Sequence, residues 1–141
     1  YEETLARMKE QLSALASRVH VLPYVHNMPE VLAAASLVVS RAGASSLAEI
    51  TSLGVPSILV PSPNVTNNHQ QPNAESLAAA GASVMILEKQ LTGDALFASI
   101  AGIMGDPARR EAMSRAARGL GMPEAAATIY GQMKEIISKR N

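Results

Sequence analysis

Residues 36–60, SLVVSRAGASSLAEITSLGVPSILV, decide the fold class of this 141-residue chain. An apolar run ends at Ser40, a helical pattern covers residues 45–53, and a second apolar run follows Gly54. Glycine is common where a helix ends, because it adopts the left-handed conformation without steric strain. The stretch therefore predicts a strand, a helix and a second strand in succession, which is the repeating unit of a parallel α/β sheet.

Segments typical of strands and of helices alternate along the rest of the chain. Strands are predicted at residues 19–22, 36–40, 55–60 and 83–88. Helices are predicted at residues 1–18, 30–35, 45–53, 69–81 and 91–104, with two more that begin at Asp106-Pro107 and at Pro123. Several of the strands are apolar on both faces. We therefore predict an α/β domain with a Rossmann-like parallel sheet and helices on both faces.

The first residues enter directly on a helical pattern. Leu5, Met8, Leu12 and Leu15 recur at spacings of three and four, and no initiator methionine precedes them. We expect that the natural protein begins earlier and that residues 1–141 are a single partial domain, truncated at its N-terminal end.

The amino-acid composition limits the kinds of binding partner and environment that we expect for this chain. Twelve basic residues balance twelve acidic ones, so the charge of the whole chain gives no reason to expect nucleic acid. Apolar runs stop well short of the ~20 residues that cross a bilayer. No cysteine is present, so the chain has no disulfides. These features predict an ordinary globular domain without a membrane span.

Three polar or glycine-rich loops follow predicted strands, at residues 23–28, 40–49 and 61–73. In open α/β sheets, ligands bind outside the carboxyl ends of the strands, where such loops lead into helices. We expect a binding site built from these three loops.

Residues 40–50 allow two interpretations. Ser46 and Glu49 match the S-x-x-E capping box, in which the two side chains satisfy amides at the start of a helix. Alternatively, Gly43 and Ala44 let a phosphate approach the open amides of the helix, and Arg41 neutralises it. Glu49 would then bind the hydroxyls of a ribose, as acidic residues do in dinucleotide sites.

A second polar cluster begins the helix after the third loop. His69, Gln70, Gln71 and Asn73 are either a solvated first turn capped by Asn68, or neutral donors and acceptors suited to sugar hydroxyls. The three histidines of the chain, His20, His26 and His69, lack the spacing of metal ligands. We therefore predict no metal site and no cofactor.

Four motifs occur in order along this part of the chain. They are Tyr24-Val-His-Asn-Met28, Arg41-Ala-Gly-Ala44 followed by Ser46 and Glu49, Val60-Pro61-Ser-Pro63, and His69-Gln70 with Asn73-Ala74. Together they resemble the MurG family of bacterial UDP-N-acetylglucosamine transferases, in glycosyltransferase family 28. The resemblance implies the C-terminal, donor-binding half of a two-domain GT-B glycosyltransferase whose N-terminal acceptor domain is absent here.

The resemblance also implies the roles of individual residues. It places the backbone of Val25 at uracil with Met28 nearby, Ala44 and Ser46 at the diphosphate, and Arg41 beside that diphosphate as leaving-group stabiliser. It places Glu49 on the ribose and the second polar cluster around N-acetylglucosamine. The predicted donor-binding set is Val25, Met28, Arg41, Gly43, Ala44, Ser45, Ser46, Glu49, His69, Gln70 and Asn73. Two positions depart from the family's usual pattern, His26-Asn27 and Pro72.

The implied activity is an inverting transfer of N-acetylglucosamine from UDP-N-acetylglucosamine to lipid I, which forms lipid II for peptidoglycan. The undecaprenyl-linked acceptor would bind the absent domain, at the cytoplasmic face of the bacterial membrane. The general base would lie there too, so we expect this chain alone to be inactive. Two alternatives stay open: a free-standing donor-binding subunit of a two-subunit transferase, and a non-catalytic module that binds UDP-sugars.

Overall fold

The computed structural model describes Glu3 and residues 18–139, and within them it contains one three-stranded sheet. The strands are β1 (Val38–Ser40), β2 (Ser57–Leu59) and β3 (Ser83–Met85). They lie in the order β1-β2-β3, and both neighbouring pairs are parallel. The helices are α1 (Met28–Ala34), α2 (Ala44–Leu53), α3 (Gln70–Ala79), α4 (Gly93–Met104), α5 (Pro107–Leu120) and α6 (Ala125–Ser138). The predicted parallel α/β fold is confirmed.

The register of the sheet brings the three strand ends level. Ser40 is the partner of Leu59, and Leu59 is the partner of Met85. The loops that follow the strands therefore start from one side of the sheet, which we call the carboxyl edge. The opposite side, where Val38, Ser57 and Ser83 begin the strands, is the amino edge.

Two apolar clusters cover the two faces of the sheet. Side chains alternate between the faces of a strand, so Leu59 belongs to one cluster while Ile58 and Val60 belong to the other. The first cluster adds residues of α2, α3 and α5, and the second adds Ile103 of α4 and Met113 of α5. Helices therefore pack on both faces, as the apolar strands predicted.

The predicted ends of several helices are confirmed by their caps. Thr92 accepts a hydrogen bond from the Ala95 amide at 3.1 Å, and Asp106 accepts one from the Arg109 amide at 2.9 Å. At the end of α2, Gly54 has φ 69°, the left-handed conformation that favours glycine. These caps depend on contacts between residues close in sequence, so the sequence alone predicts them well.

Three predicted elements differ from the structure. Residues 19–22 are not a strand, because a β-branched run becomes one only where a neighbouring strand is available to pair with it. The run predicted as a strand at 83–88 leaves the sheet after Met85 and turns into a 3₁₀-helix at Glu88–Gln90. The last helix begins at Ala125 and not at Pro123. The predicted helix at 1–18 lies outside the described residues, apart from Glu3 and Arg18.

Candidate functional site

The loop after β1 leads directly into α2 at the carboxyl edge. Gly43 is the N-cap, and the first bond of the helix runs from the Leu47 amide to the Gly43 carbonyl at 3.0 Å. The amides of Ala44, Ser45 and Ser46 therefore have no acceptor among the described residues. A Cβ added to Gly43 would meet no atom within 4 Å, so the space beside the loop is open. This geometry suits an anion, because the amides and the helix dipole both favour negative charge.

The predicted capping box at Ser46 is wrong. Gly43 takes the N-cap position, so Ser46 is the third residue of α2 and Glu49 lies in its second turn. A capping-box carboxylate must sit three residues after the N-cap, and Glu49 lies beyond that position. The Glu49 side chain is exposed and has no hydrogen-bond partner among the described residues. Its carboxylate is therefore available to a ligand.

A groove of 310 Å³ separates the start of α1 from α2. Glu49 lies on one wall and Pro29 on the other. Met28, the first residue of α1, precedes Pro29 and is 40% exposed. The structure thus places the start of α1 and Glu49 on the same groove.

Local contacts hold the turn that precedes α1. The rings of Tyr24 and His26 meet edge to face with centroids 4.7 Å apart, and Val25 between them is half-buried. The Asn27 side-chain amide donates to the Glu30 carboxylate at 2.8 Å. His26 and Asn27 therefore both help to shape this turn.

Gln70 and Asn73, in the first turns of α3, hold the neighbouring loops together. The Gln70 Oε1 atom accepts from the Ala42 amide at 3.2 Å and from the Ser62 amide at 2.9 Å. The Asn73 Nδ2 atom donates to the Ala42 carbonyl at 3.2 Å. Ala42 follows β1 and Ser62 follows β2, so the two amide side chains join both loops to α3. Sequence reasoning assigned these side chains to a sugar and missed this clamp.

His69 is the N-cap of α3, so the predicted cap at Asn68 is wrong. The His69 Nδ1 atom lies 2.8 Å from the Thr66 carbonyl oxygen. A carbonyl can only accept, so Nδ1 is the donor in this contact, and Nε2 has no hydrogen-bond partner among the described residues. Asn68 instead has φ 48° and donates to Gln71 at 3.1 Å on the surface.

Arg41 forms a two-pronged ion pair that sequence reasoning missed. Its Nη1 atom donates to the Val60 carbonyl at 3.2 Å and to Glu88 Oε2, and its Nη2 atom donates to Glu88 Oε1 at 3.2 Å. The hydrogen bond between the two side chains raises the pKa of Arg41 and lowers the pKa of Glu88. The contacts therefore join three loops, because Arg41 follows β1, Val60 follows β2 and Glu88 follows β3.

The sequence did contain a signal for this pair. Glu88 follows β3 as Arg41 follows β1, and parallel strands place both positions at the same edge. The strand predicted at residues 83–88 included Glu88. A residue inside a strand is not expected in an edge loop, so the ion pair was not predicted.

Two further cavities lie at opposite edges of the sheet. One of 710 Å³ opens at the carboxyl edge and is lined by Pro61, Pro63, Asn68, Gln71, Leu87, Glu88 and Lys89. Another of 450 Å³ lies at the amino edge beside the end of α2 and includes Gly54 and Arg118. Ligands of open α/β sheets bind at carboxyl ends, and the end of a helix presents carbonyls rather than amides. The carboxyl edge is therefore the better candidate site.

Metal and membrane features were sought in the same part of the chain. Among the described residues, no group of three or more His, Cys, Asp or Glu side chains could hold a metal ion. No helix within residues 18–139 has the length and apolar character needed to cross a bilayer.

Comparison with known proteins gives a consistent family. The family model described as "Glycosyltransferase family 28 C-terminal domain" matches residues 2–129. Two curated relatives have the name UDP-N-acetylglucosamine–N-acetylmuramyl-(pentapeptide) pyrophosphoryl-undecaprenol N-acetylglucosamine transferase, and the name of the second ends in the number 1. The relative from Halalkalibacterium halodurans is 48% identical over 132 residues, and the relative from Bacillus cereus is 46% identical over 139 residues.

The matches cover most of this chain and a minor part of each relative. They include 92% and 99% of the chain but 36% and 38% of the two relatives. A crystal structure of MurG from Acinetobacter baumannii superposes with a TM-score of 0.77 at 26% identity. That match covers 92% of this chain and 40% of the other.

Proposed function

Because this chain belongs to the family of glycosyltransferase family 28 C-terminal domains, we propose that it binds the donor in an inverting N-acetylglucosaminyltransferase. The donor is UDP-N-acetylglucosamine, and the acceptor is the undecaprenyl-linked lipid in the names of its relatives. The observation that carries the proposal is the row of open amides at Ala44–Ser46, on the same helix as the exposed carboxylate of Glu49.

The proposed donor contacts follow the geometry of the carboxyl edge. The diphosphate lies at the amides of Ala44, Ser45 and Ser46, where Gly43 leaves open space. The ribose binds Glu49, whose position in the groove next to Pro29 supports this role. The uracil lies against the backbone of Val25 with Met28 nearby.

The sugar contacts must use the atoms that the clamp leaves available. Gln70 already accepts two hydrogen bonds through Oε1, so its Nε2 group is the donor available to a hydroxyl. Asn73 donates through Nδ2 to Ala42, so Oδ1 is its available acceptor. The Nε2 atom of His69, which has no partner among the described residues, is available as well. We assign these three side chains to N-acetylglucosamine.

The reaction follows from this arrangement. An acceptor hydroxyl oxygen bonds to the anomeric carbon, the bond from that carbon to the β-phosphate oxygen breaks, and the electron pair leaves with UDP. The hydroxyl proton passes to a general base, which we place outside these 141 residues. Amides at a helix start and the Arg41 guanidinium stabilise the departing charge, so the proposed chemistry uses no metal.

We further propose that these 141 residues are one partial domain of a longer protein. The matched regions are 36% and 38% of the length of the two curated relatives, which leaves room for a separate domain that binds the lipid acceptor. The lipid acceptor places the reaction at a membrane surface, and we assign it to the cytoplasmic face.

Calorimetric titration with UDP tests the site. We expect Glu49→Ala to weaken binding at least tenfold, because hydrogen bonds to a charged group contribute about 1.5–3 kcal/mol each. Glu111→Ala, which removes another exposed carboxylate, on α5, is the control and should bind as the parent protein does. Equal affinity for UDP in both variants would remove Glu49 from the site.

A transfer assay on the intact protein tests the enzymatic part of the proposal. Radiolabelled N-acetylglucosamine should move from UDP-N-acetylglucosamine to an undecaprenyl-linked acceptor in detergent. Tight UDP binding without transfer would instead identify a non-catalytic nucleotide-sugar module.

A further inference from the structure

The ion pair between Arg41 and Glu88 carries an inference beyond the family assignment. We propose that Glu88 is a positioning residue, which holds the Arg41 guanidinium in place so that its remaining N–H groups meet the diphosphate of the donor. The inference rests on the proposed function, because it needs a diphosphate at the carboxyl edge.

The first argument is the path of the Arg41 side chain. Arg41 follows β1, but its guanidinium contacts the Val60 carbonyl after β2 and the Glu88 carboxylate after β3. The side chain therefore extends along the strand ends and does not point away from the protein. Both carboxylate oxygens of Glu88 engage it, and two parallel bonds fix the plane of a guanidinium as one bond cannot.

The second argument is the number of donors that remain. A guanidinium has five N–H groups. One Nη1 hydrogen faces Val60 and another faces Glu88, while one Nη2 hydrogen faces Glu88. The Nε hydrogen and the second Nη2 hydrogen are left for a ligand. Glu88 thereby selects which side of the guanidinium a phosphate can use.

The third argument is the conformational entropy that the Arg41 side chain loses when it binds a ligand. A free arginine side chain samples many rotamers, and it loses that conformational entropy when a ligand fixes it. The side chain of Arg41 is 50% exposed, so its hydrogen bonds to Glu88 and Val60 contribute to holding its guanidinium in place. An arginine that is already fixed by Glu88 and Val60 loses less entropy when the diphosphate arrives. Preorganised charge also stabilises a leaving group better than charge that must first reorient.

Among the described residues, Glu88 is the only carboxylate that pairs with Arg41. Removing it therefore leaves no neighbouring acid to take over the same role. Exposed ion pairs contribute little to folding, so Glu88→Gln should fold normally and should act mainly through Arg41.

The test measures binding of uridine, UMP and UDP to the intact protein by calorimetry. We compare the parent protein with Glu88→Gln, with Arg41→Gln and with the double variant. Glu111→Gln is the control, because Glu111 also pairs with an arginine, Arg115, but on the exposed surface of α5. Thermal melting of every variant checks that each one folds.

We expect Glu88→Gln to reduce the preference for UDP over uridine about tenfold and to leave uridine affinity unchanged. Arg41→Gln should reduce it at least as much, and the double variant should bind UDP no more weakly than Arg41→Gln alone, because contacts that act as one unit are not additive. Glu111→Gln should keep the full preference.

Several results would overturn the inference. An unchanged or stronger preference for UDP in Glu88→Gln would show that Arg41 needs no positioning. Equal losses for uridine and UDP would show a general structural role, and additive losses in the double variant would show that the two side chains act independently. If the parent protein binds none of the three ligands, the proposed function itself fails, which is a distinct outcome from failure in the Glu88 variant alone.

Discussion

The two edges of the sheet hold their loops by different means. At the carboxyl edge, side chains of Arg41, Gln70 and Asn73 reach between loops and form hydrogen bonds with groups 8 to 47 residues away. At the amino edge, one such bond, from the Ser114 hydroxyl to the Gly54 carbonyl at 2.7 Å, accompanies a close backbone approach: a Cβ on Gly121 would lie 2.8 Å from the Thr51 carbonyl oxygen.

This difference matches the different tasks of the edges. A hydrogen-bonded edge fixes its loops while it leaves chosen donors, such as the amides of Ala44–Ser46, open to a ligand. A closely packed edge stabilises the fold, and the end of α2 there presents carbonyls rather than open amides. We therefore expect that substitutions at the carboxyl edge change both ligand binding and stability, and that substitutions at the amino edge change stability alone.

The largest expected effect is that of Gln70→Ala. It removes the acceptor of two part-buried amides, those of Ala42 and Ser62. An unsatisfied buried amide costs about 1–3 kcal/mol, so we expect the free energy of unfolding to fall by about 2 kcal/mol. UDP affinity should fall at least tenfold, because the loop that carries the open amides is released. Urea denaturation and calorimetry measure the two effects.

Gln71→Ala is the matched control for that variant. Gln71 is the adjacent glutamine and bonds only to Asn68 and Glu75 on the surface. Surface substitutions of this kind usually change stability by less than about 0.5 kcal/mol. If the two glutamine variants were equally mild, the clamp at the carboxyl edge would have no energetic importance.

A smaller loss is expected for Gly121→Ala at the amino edge. The new methyl group would press on the backbone of Thr51 and Ser52, which cannot move as a side chain can. Overpacking of this kind costs about 1–3 kcal/mol, and we expect a value near the lower end because α5 ends beside this glycine. UDP affinity should stay the same, which urea denaturation and calorimetry together would show.

Gly119→Ala supplies the comparison for Gly121→Ala. A Cβ at Gly119 has open space around it, and alanine favours a helix more than glycine does. This variant should therefore be as stable as the parent or more stable. A loss of UDP affinity in Gly121→Ala without loss of stability would break the proposed division between the edges.

The sequence predicted local features better than contacts across the sheet. The caps at Thr92 and Asp106 were predicted because each side chain bonds an amide only three residues away. The prediction of a capping box at Ser46 was wrong because the helix begins earlier, with Gly43 as its N-cap. Motif matching could not choose between those starts, since both satisfy the local rules.

The hydrogen bonds of the candidate site depend on the register of the three strands, so the sequence predicted the site only in part. Arg41, Gln70 and Asn73 were predicted as site residues, but the bonds that connect them to Ala42, Val60 and Glu88 were not predicted. Those bonds follow from strands that end level, which no single segment of sequence encodes. The sequence therefore predicted which loops form the candidate site, but not the hydrogen bonds that connect those loops.

The smallest expected effect concerns acid and the Arg41–Glu88 pair. Arg41 lowers the pKa of Glu88 in the folded protein. As pH falls, the unfolded chain therefore takes up the Glu88 proton first, near its ordinary pKa of about 4.3. The stabilisation that Glu88 provides should be complete above that pH and should disappear as pH falls through the lower pKa of the folded state.

Urea denaturation of the parent and of Glu88→Gln from pH 7 to pH 3 measures this effect. The difference in unfolding free energy should shrink toward pH 3, and it should be absent at every pH when both proteins also carry Arg41→Gln, because Arg41 causes the shift. A difference that stays constant with pH would contradict the ion pair. The loss in Gly121→Ala should by contrast be the same at each pH, since it arises from contact with uncharged backbone, so the acid titration separates the two edges by the forces that hold them.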